Sequence, residues 1–138
     1  MSWPLTVTMM HADEKEIESE VASVGGRLEW ATDCGVGVSF SRVTTDDALA
    51  QIPMTIECAV WINLANARIT DVGLARLEGA ALLESVGLVG TRVTMAGIDR
   101  LLAATPSVRE VTISVGQFAP IDVRRMRTLW RNTRLVEG

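Results

Sequence analysis

An apolar spacing that repeats about every 25 residues is the feature that most constrains this chain. Its clearest copy has apolar residues at Leu83, Val86, Leu88 and Val93, with the small polar Thr91 before the last of them. Three further segments share the spacing: Ala59, Ile62, Leu64, Ala67 and Ile69; Val108, Val111, Ile113, Gly116 and Phe118; and, more weakly, Val36, Val38, Ser41 and Val43. The last apolar members are 26, 24 and 25 residues apart, which predicts a chain built from repeated structural units.

Each copy of this spacing is followed by a segment with the signals of a helix. After Ile69 come Thr70 and Asp71, which are good N-cap residues because their side-chain oxygens accept backbone N–H groups of the first turn. Apolar residues three or four positions apart follow, as in Leu74 and Leu77. Each unit is therefore predicted to be a short strand, a capped turn and a helix. Stacked units would bury a core that no single unit could form.

The combined pattern resembles the leucine-rich repeat, L-x-x-L-x-L-x-x-N/C/T-x-L. The segment Ile69-Thr70-Asp71-Val72-Gly73-Leu74 is similar to the I-T-D-x-G-L segment of F-box-type receptors and of many bacterial repeat proteins. The resemblance covers roughly residues 33–135. It implies an α/β fold, a right-handed solenoid with a curved parallel sheet on one face and helices on the other. No F-box segment is visible, so the ubiquitin-ligase role of that group is not inferred.

The turn position that usually holds Asn departs from the family pattern. It carries Ser41, Ala67, Thr91 and Gly116. Only a partial hydrogen-bonded ladder is therefore expected along the turns.

The whole chain, residues 1–138, is predicted to be one domain. Residues 1–32 are assigned to an N-terminal cap, residues 33–119 to about four repeat units and residues 120–138 to a C-terminal cap, because solenoid ends need covers. Two further elements are expected in the first cap. An amphipathic helix at residues 12–24 has Ile17, Val21 and Val24 on its apolar face and is ended by Gly25-Gly26, and residues 5–9 are a candidate strand.

In the C-terminal cap, Pro120 stands at a permissible helix start. Residues 134–136 predict a final strand. The apolar residues expected to shield the last repeat are Ile121, Val123, Met126, Leu129 and Trp130.

No set of residues predicts an active site. The single histidine, His11, has no histidine partner and is interpreted as a surface or capping residue. Cys34 and Cys58 are too few for a zinc site, and their repeat positions differ by two residues, so we expect two buried thiols rather than a disulfide. The single lysine, Lys15, lies outside any P-loop spacing. We expect no enzyme, cofactor or metal, and turnover lost on mutating His11 or Cys58 would revive the enzyme hypothesis.

Charge and hydropathy constrain the location. Residues 72–90 form the most apolar stretch, yet they carry Arg76, Glu78 and Glu84, so no membrane span is expected. Residues 1–10 have no basic residue before their apolar part, which is not the pattern of a secretory signal. A cytoplasmic location is therefore predicted, although a fragment of a longer protein would look the same.

The charge of the chain is distributed unevenly. Residues 1–60 hold ten acids and three bases, whereas residues 61–138 hold seven acids and ten bases. Such asymmetry can orient partners or stack one copy on another, and two differently charged solvated surfaces are the simpler interpretation. Five arginines crowd the C-terminal element beside Trp130: Arg124, Arg125, Arg127, Arg131 and Arg134. We rank a solvated helix face first, contact with an acidic protein second and nucleic acid last.

The outward face of the predicted parallel sheet is the candidate binding surface. Side-chain alternation places four triplets on it: Gly35, Gly37 and Ser39; Trp61, Asn63 and Ala65; Ser85, Gly87 and Val89; Glu110, Thr112 and Ser114. Trp61 stands out because tryptophan is enriched at interface hot spots. Cover by the N-terminal segment is the alternative for Trp61, and both stay open.

Two functions are carried forward. The first is a protein–protein interaction module for an unidentified protein. Its candidate partner-binding residues are Trp61, Asn63, Ser85, Glu110, Thr112, Arg124, Arg125 and Arg127. The second is a structural or assembly protein that self-associates through its acidic N-terminal and basic C-terminal ends.

Overall fold

Six strands form one sheet in which each strand lies beside its neighbours in the sequence. The structure is a computed structural model that describes residues 14–32 and 34–138. The strands are β1 (Arg27–Thr32), β2 (Gly35–Ser39), β3 (Ala59–Asn63), β4 (Ser85–Gly87), β5 (Glu110–Ile113) and β6 (Arg134–Glu137). β1 pairs with β2 antiparallel, and every later neighbour is parallel. The predicted α/β class is confirmed, and the sheet is parallel as predicted except for its first strand, β1.

Helical segments connect the parallel strands. Residues 14–23 are helical (α1), and the later helices are α2 (Asp46–Leu49), α3 (Pro53–Cys58), α4 (Asp71–Leu74), α5 (Met95–Ala104) and α6 (Pro120–Leu129). A turn of 3-10 helix, Ala75–Leu77, extends α4. Within residues 14–32 and 34–138, no helix is long and apolar enough to cross a membrane.

The core is one cluster in which inward strand residues pack with the buried faces of the helices. Ile62, Val86 and Val111 occupy equivalent positions on neighbouring strands and are almost completely buried. Leu88, two residues after Val86, is fully buried as predicted. Apolar residues at period two therefore fix which side of the sheet faces the helices.

The N-terminal helix and its end are confirmed over the described residues. Ile17, Val21 and Val24 are buried. Gly25 adopts a left-handed φ of 84°, and the Gly26 N–H donates to the carbonyl of Val21 at 2.8 Å, which is the hydrogen bond of a glycine-ended helix. The candidate strand at residues 5–9 lies outside the described residues.

The alignment predicted for the first copy of the spacing, residues 36–43, was wrong by two residues. Val38, not Val36, aligns with Ile62. Val43, expected at an inward position, is 67% exposed, whereas Thr44 is fully buried. A threonine fits there because its hydroxyl donates to the carbonyl of Val24 at 2.8 Å, so its burial leaves no polar group unsatisfied.

Residues 120–138 bury fewer apolar side chains than expected. Val123 and Met126 are buried, but Ile121 and Leu129 are 65% and 62% exposed. Trp130 is half-buried and its Nε1 donates to Asp99 at 2.6 Å. A ten-residue helix packed on one side buries a single stripe three or four residues apart. The predicted helix start at Pro120 and the final strand are confirmed.

Aspartate side chains link the starts of helices that follow neighbouring strands. Asp46, in the first turn of α2, accepts hydrogen bonds from the N–H and the hydroxyl of Thr70, the N-cap of α4, at 2.8 and 2.7 Å. Asp71, in α4, does the same for Thr94, the N-cap of α5. At Thr91, one of the positions where a hydrogen-bonded ladder was predicted, the hydroxyl donates to the nearby carbonyl of Leu88 at 2.7 Å.

Candidate functional site

The outward face of the sheet brings the five sheet candidates together in two rows. One row runs Trp61, Ser85, Glu110 and Arg134 across β3 to β6, and the other runs Asn63, Gly87, Thr112 and Val136. Asn63 is exposed, and Trp61, Ser85, Glu110 and Thr112 are half-buried. Because the inward neighbours of these residues fill the core, their own side chains lie on the opposite side of the sheet.

Trp61 leans across the adjacent strand. Gly37 of β2 is its direct neighbour in register, and a Cβ atom added at Gly37 would overlap the indole ring. The absence of a side chain at Gly37 therefore makes room for the ring. Trp61 is half-buried by a neighbouring strand of its own sheet; the N-terminal segment considered as its cover includes residues 1–13, which lie outside the described residues.

Trp30 lies on the same face and was missed in the sequence analysis. It pairs with Gly37 from the other side, on the antiparallel strand β1, and paired residues share one face of a sheet. Trp30 is 42% exposed. Two tryptophans thus flank Gly37, one on each neighbouring strand. A signal was available, because aromatic and β-branched residues before a short connection to Gly35 are typical of a hairpin.

A shallow depression of about 410 Å³ lies beside Trp61. It is lined by Trp61, Ile62, Asn63, Ala65, Ser85, Gly87, Val89 and Thr112. The Asn63 carboxamide leans over Gly87 of the next strand, and its Oδ1 accepts from the N–H of Ala65 at 3.0 Å. The depression thus has one aromatic wall and short polar groups on its floor, which a partner backbone can approach closely.

Charged groups border this face at both ends of the sheet. At β1, Glu29 Oε1 accepts from the hydroxyl of Ser39 at 2.8 Å and from Nε of Arg27 at 2.9 Å. The hydrogen bond from Ser39, followed by that from Arg27, holds the pKa of Glu29 below its ordinary 4.5. At the other end, Glu110 forms a long ion pair of 3.9 Å with Arg134.

The three arginine candidates do not join the sheet face. Arg124, Arg125 and Arg127 are exposed residues of α6, a helix whose Val123 and Met126 belong to the core on the other side of the sheet. Arg125 pairs with Asp122 at 3.5 Å, and Arg127 donates to the carbonyl of Leu135 at 3.0 Å. The eight candidates therefore form two separate surfaces.

Cys34 and Cys58 directly precede the neighbouring strands β2 and β3. Cys34 is exposed, so its expected burial was wrong, and Cys58 is half-buried. His11 lies outside the described residues. No group of three or more metal-ligating side chains comes together in the part of the chain that the structure describes. No protein-family model matches the chain, and no curated protein matches it either.

Proposed function

We propose that this chain is a right-handed solenoid of the leucine-rich-repeat type and that it binds a protein partner through the outward face of its sheet. The register along one row supports the repeat. The equivalent residues Trp61, Ser85, Glu110 and Arg134 are 24, 25 and 24 residues apart. Each connection between successive strands from β3 to β6 contains a helical segment. Connections of this kind between parallel strands are right-handed in nearly all proteins.

The observation that carries the binding function is the tryptophan pair on either side of Gly37. Trp30 has 42% of its surface exposed, although tryptophan side chains are on average highly buried in folded proteins. Trp30 and Trp61 share a sheet face whose other residues are mainly small and polar. Exposed aromatic side chains in such surroundings are typical anchors of protein interfaces.

Binding rather than catalysis fits the depression beside Trp61. Its hydroxyl groups come from Ser85 and Thr112, and the residues that line it include no histidine, aspartate or glutamate to act as a base. A hydroxyl nucleophile needs such a base within hydrogen-bonding reach. The same hydroxyls and the Asn63 amide suit hydrogen bonding to a partner's backbone.

Affinity capture from lysate of the source cells tests this function. Wild-type bait is compared with Trp30→Ala and Trp61→Ala, and Val72→Ala serves as the matched control because Val72 is 67% exposed on α4. We expect one protein to be enriched by the wild type and by the control, and to be lost with both tryptophan variants. Against that purified partner, each tryptophan variant should bind about 30-fold more weakly, which corresponds to about 2 kcal/mol.

Circular dichroism establishes that each bait is folded. Retention of every captured protein by both tryptophan variants would contradict the proposal. So would an equal loss with Val72→Ala, since the contact would then not depend on the sheet face.

A further inference from the structure

The C-terminal end of the molecule carries a groove that the sheet-face function does not use. The groove has a volume of about 650 Å³ and lies between α6, the loop before it and the end of β6. Val115, Phe118 and Val123 supply apolar surface, and Arg124 and Arg127 border it together with Glu137. Val115 is 74% exposed. A groove bordered by guanidinium groups is suited to a segment that presents exposed carboxylates.

The positive charge of this end is only partly neutralised by its own acids. Residues 120–138 contain five arginines and two acids, which gives a side-chain charge of +3. Arg127 is held by Glu137 at 3.6 Å and by the carbonyl of Leu135. Within the described residues, no ion pair involves Arg124, whose guanidinium is therefore available to a partner.

The opposite end of the sheet carries the opposite charge. In α1, four glutamates and one lysine give −3, and Glu16 and Glu18 are exposed while Ile17 is fully buried. α1 belongs to the β1 end, because Glu20 accepts from the hydroxyl of Thr55 in α3 at 2.8 Å and the carbonyl of Val24 accepts from Thr44. The first and last helices thus carry complementary charges at opposite ends of one chain.

We propose that the groove at the C-terminal end binds α1 of a second copy, so that copies associate head to tail. Glu18 of one copy then lies against Arg124 of the next. Such an interface is heterologous, and it continues into a filament unless the rotation between copies closes a ring. The contact uses different residues from the sheet face, so either function can fail without the other.

Sedimentation velocity of the full chain over a range of concentrations tests the association. At about 10 mM salt, where the Debye length is about 30 Å, the wild type should form dimers and larger species. At about 1 M salt, where it is about 3 Å, the weight-average mass should fall toward the monomer. A monomer at every concentration in low salt would overturn the proposal.

Charge reversal identifies the surfaces. Arg124→Glu and Glu18→Arg should each weaken association at least about tenfold, as expected for losing and reversing one interfacial charge pair. An equimolar mixture of the two variants should associate again, because the altered groove then faces the altered helix. Arg100→Glu, an exposed arginine of α5, is the control and should behave as the wild type.

Two further results would overturn the head-to-tail arrangement. One is a mixture that stays as dissociated as its components, and the other is an equal weakening by Arg100→Glu. Trp61→Ala should associate like the wild type. Its dissociation would assign self-association to the sheet face and contradict the groove.

Discussion

The carboxylate of Asp71 accepts two hydrogen bonds from Thr94, at 2.8 Å from the backbone N–H and at 2.5 Å from the hydroxyl. Thr94 is the N-cap of α5, and its hydroxyl in turn accepts from the N–H of Gly97. An acid in α4 therefore holds the residue that caps α5. Asp46 and Thr70 make the same contact one unit earlier, and the series ends because Met95 occupies the position after Thr94.

Removing this carboxylate should loosen the junction between two units. Asp71→Ala is expected to lower the free energy of unfolding by about 1–3 kcal/mol, since it removes two hydrogen bonds from Thr94 to a charged group. Asp47→Ala is the control, because Asp47 is exposed in α2, and it should change stability by no more than about 0.5 kcal/mol. Urea unfolding measures both. Equal effects of the two substitutions would contradict the role assigned to Asp71.

The same contact explains a glycine inside a helix. A Cβ atom at Gly97 of α5 would overlap the Asp71 carboxylate. Gly97→Ala should therefore destabilise the protein by about 1–3 kcal/mol, although alanine in a helix interior normally gains about 1 kcal/mol over glycine.

A double-mutant cycle separates the clash from other effects of the Gly97 substitution. With Asp71→Ala already present, Gly97→Ala should become neutral or stabilising, and urea unfolding of the four proteins gives the coupling energy. Additive effects would show that the carboxylate does not explain this glycine.

The inward register can be tested by a pair of truncations. Leu88 is fully buried, so Leu88→Ala should cost about 2–5 kcal/mol in the free energy of unfolding. Val43 is 67% exposed, so Val43→Ala should stay within about 0.5 kcal/mol. Denaturant unfolding measures the free energy of unfolding of both variants, provided that its dependence on denaturant concentration (the m-value) is unchanged. A large loss at Val43 would restore the register first predicted from the sequence.

The sequence was sufficient for the central strands and insufficient for the first unit, for a physical reason. Around Ile62, Val86 and Val111, the apolar spacing recurs without a shift, and this recurrence identifies the inward side of each strand. In the first copy of the spacing the buried position is held by Thr44, whose hydroxyl donates to the carbonyl of Val24 just after α1. The sequence does not show whether a threonine is buried or exposed. The prediction relied on apolar spacing alone and therefore placed Val43, not Thr44, in the core.

The part of the candidate site that follows from the alternation of side chains along each strand was predicted. The part that depends on the pairing of β1 with β2 was missed. Trp61, Ser85 and Glu110 share a row because each lies at the same place in its own unit. Trp30 joins that face only because β1 folds back on β2, with a register shift between Leu28 and Trp30. A spacing rule based on parallel units contains no antiparallel strand, so it could not place this residue.

The pKa of Glu29 provides a prediction that depends on acidity. Hydrogen bonds from Ser39 and Arg27 stabilise the ionised carboxylate and lower its pKa below 4.5. Ser39→Ala should raise that pKa toward 4.5, as measured by carboxyl-carbon NMR titration. Ser23→Ala is the control, because the Ser23 hydroxyl donates to the carbonyl of Glu20 on α1, and it should leave the Glu29 titration unchanged.

The sign of the effect on stability follows from the direction of the Glu29 shift. The folded state binds this proton less tightly than the unfolded state, so the contribution of the ionised carboxylate is present above pH 4.5 and is lost as the pH falls through the folded pKa. The stability difference between the wild type and Ser39→Ala should therefore shrink as the pH is lowered through that range. A difference that grows on acidification would mean that the Ser39 hydroxyl favours the protonated form of Glu29.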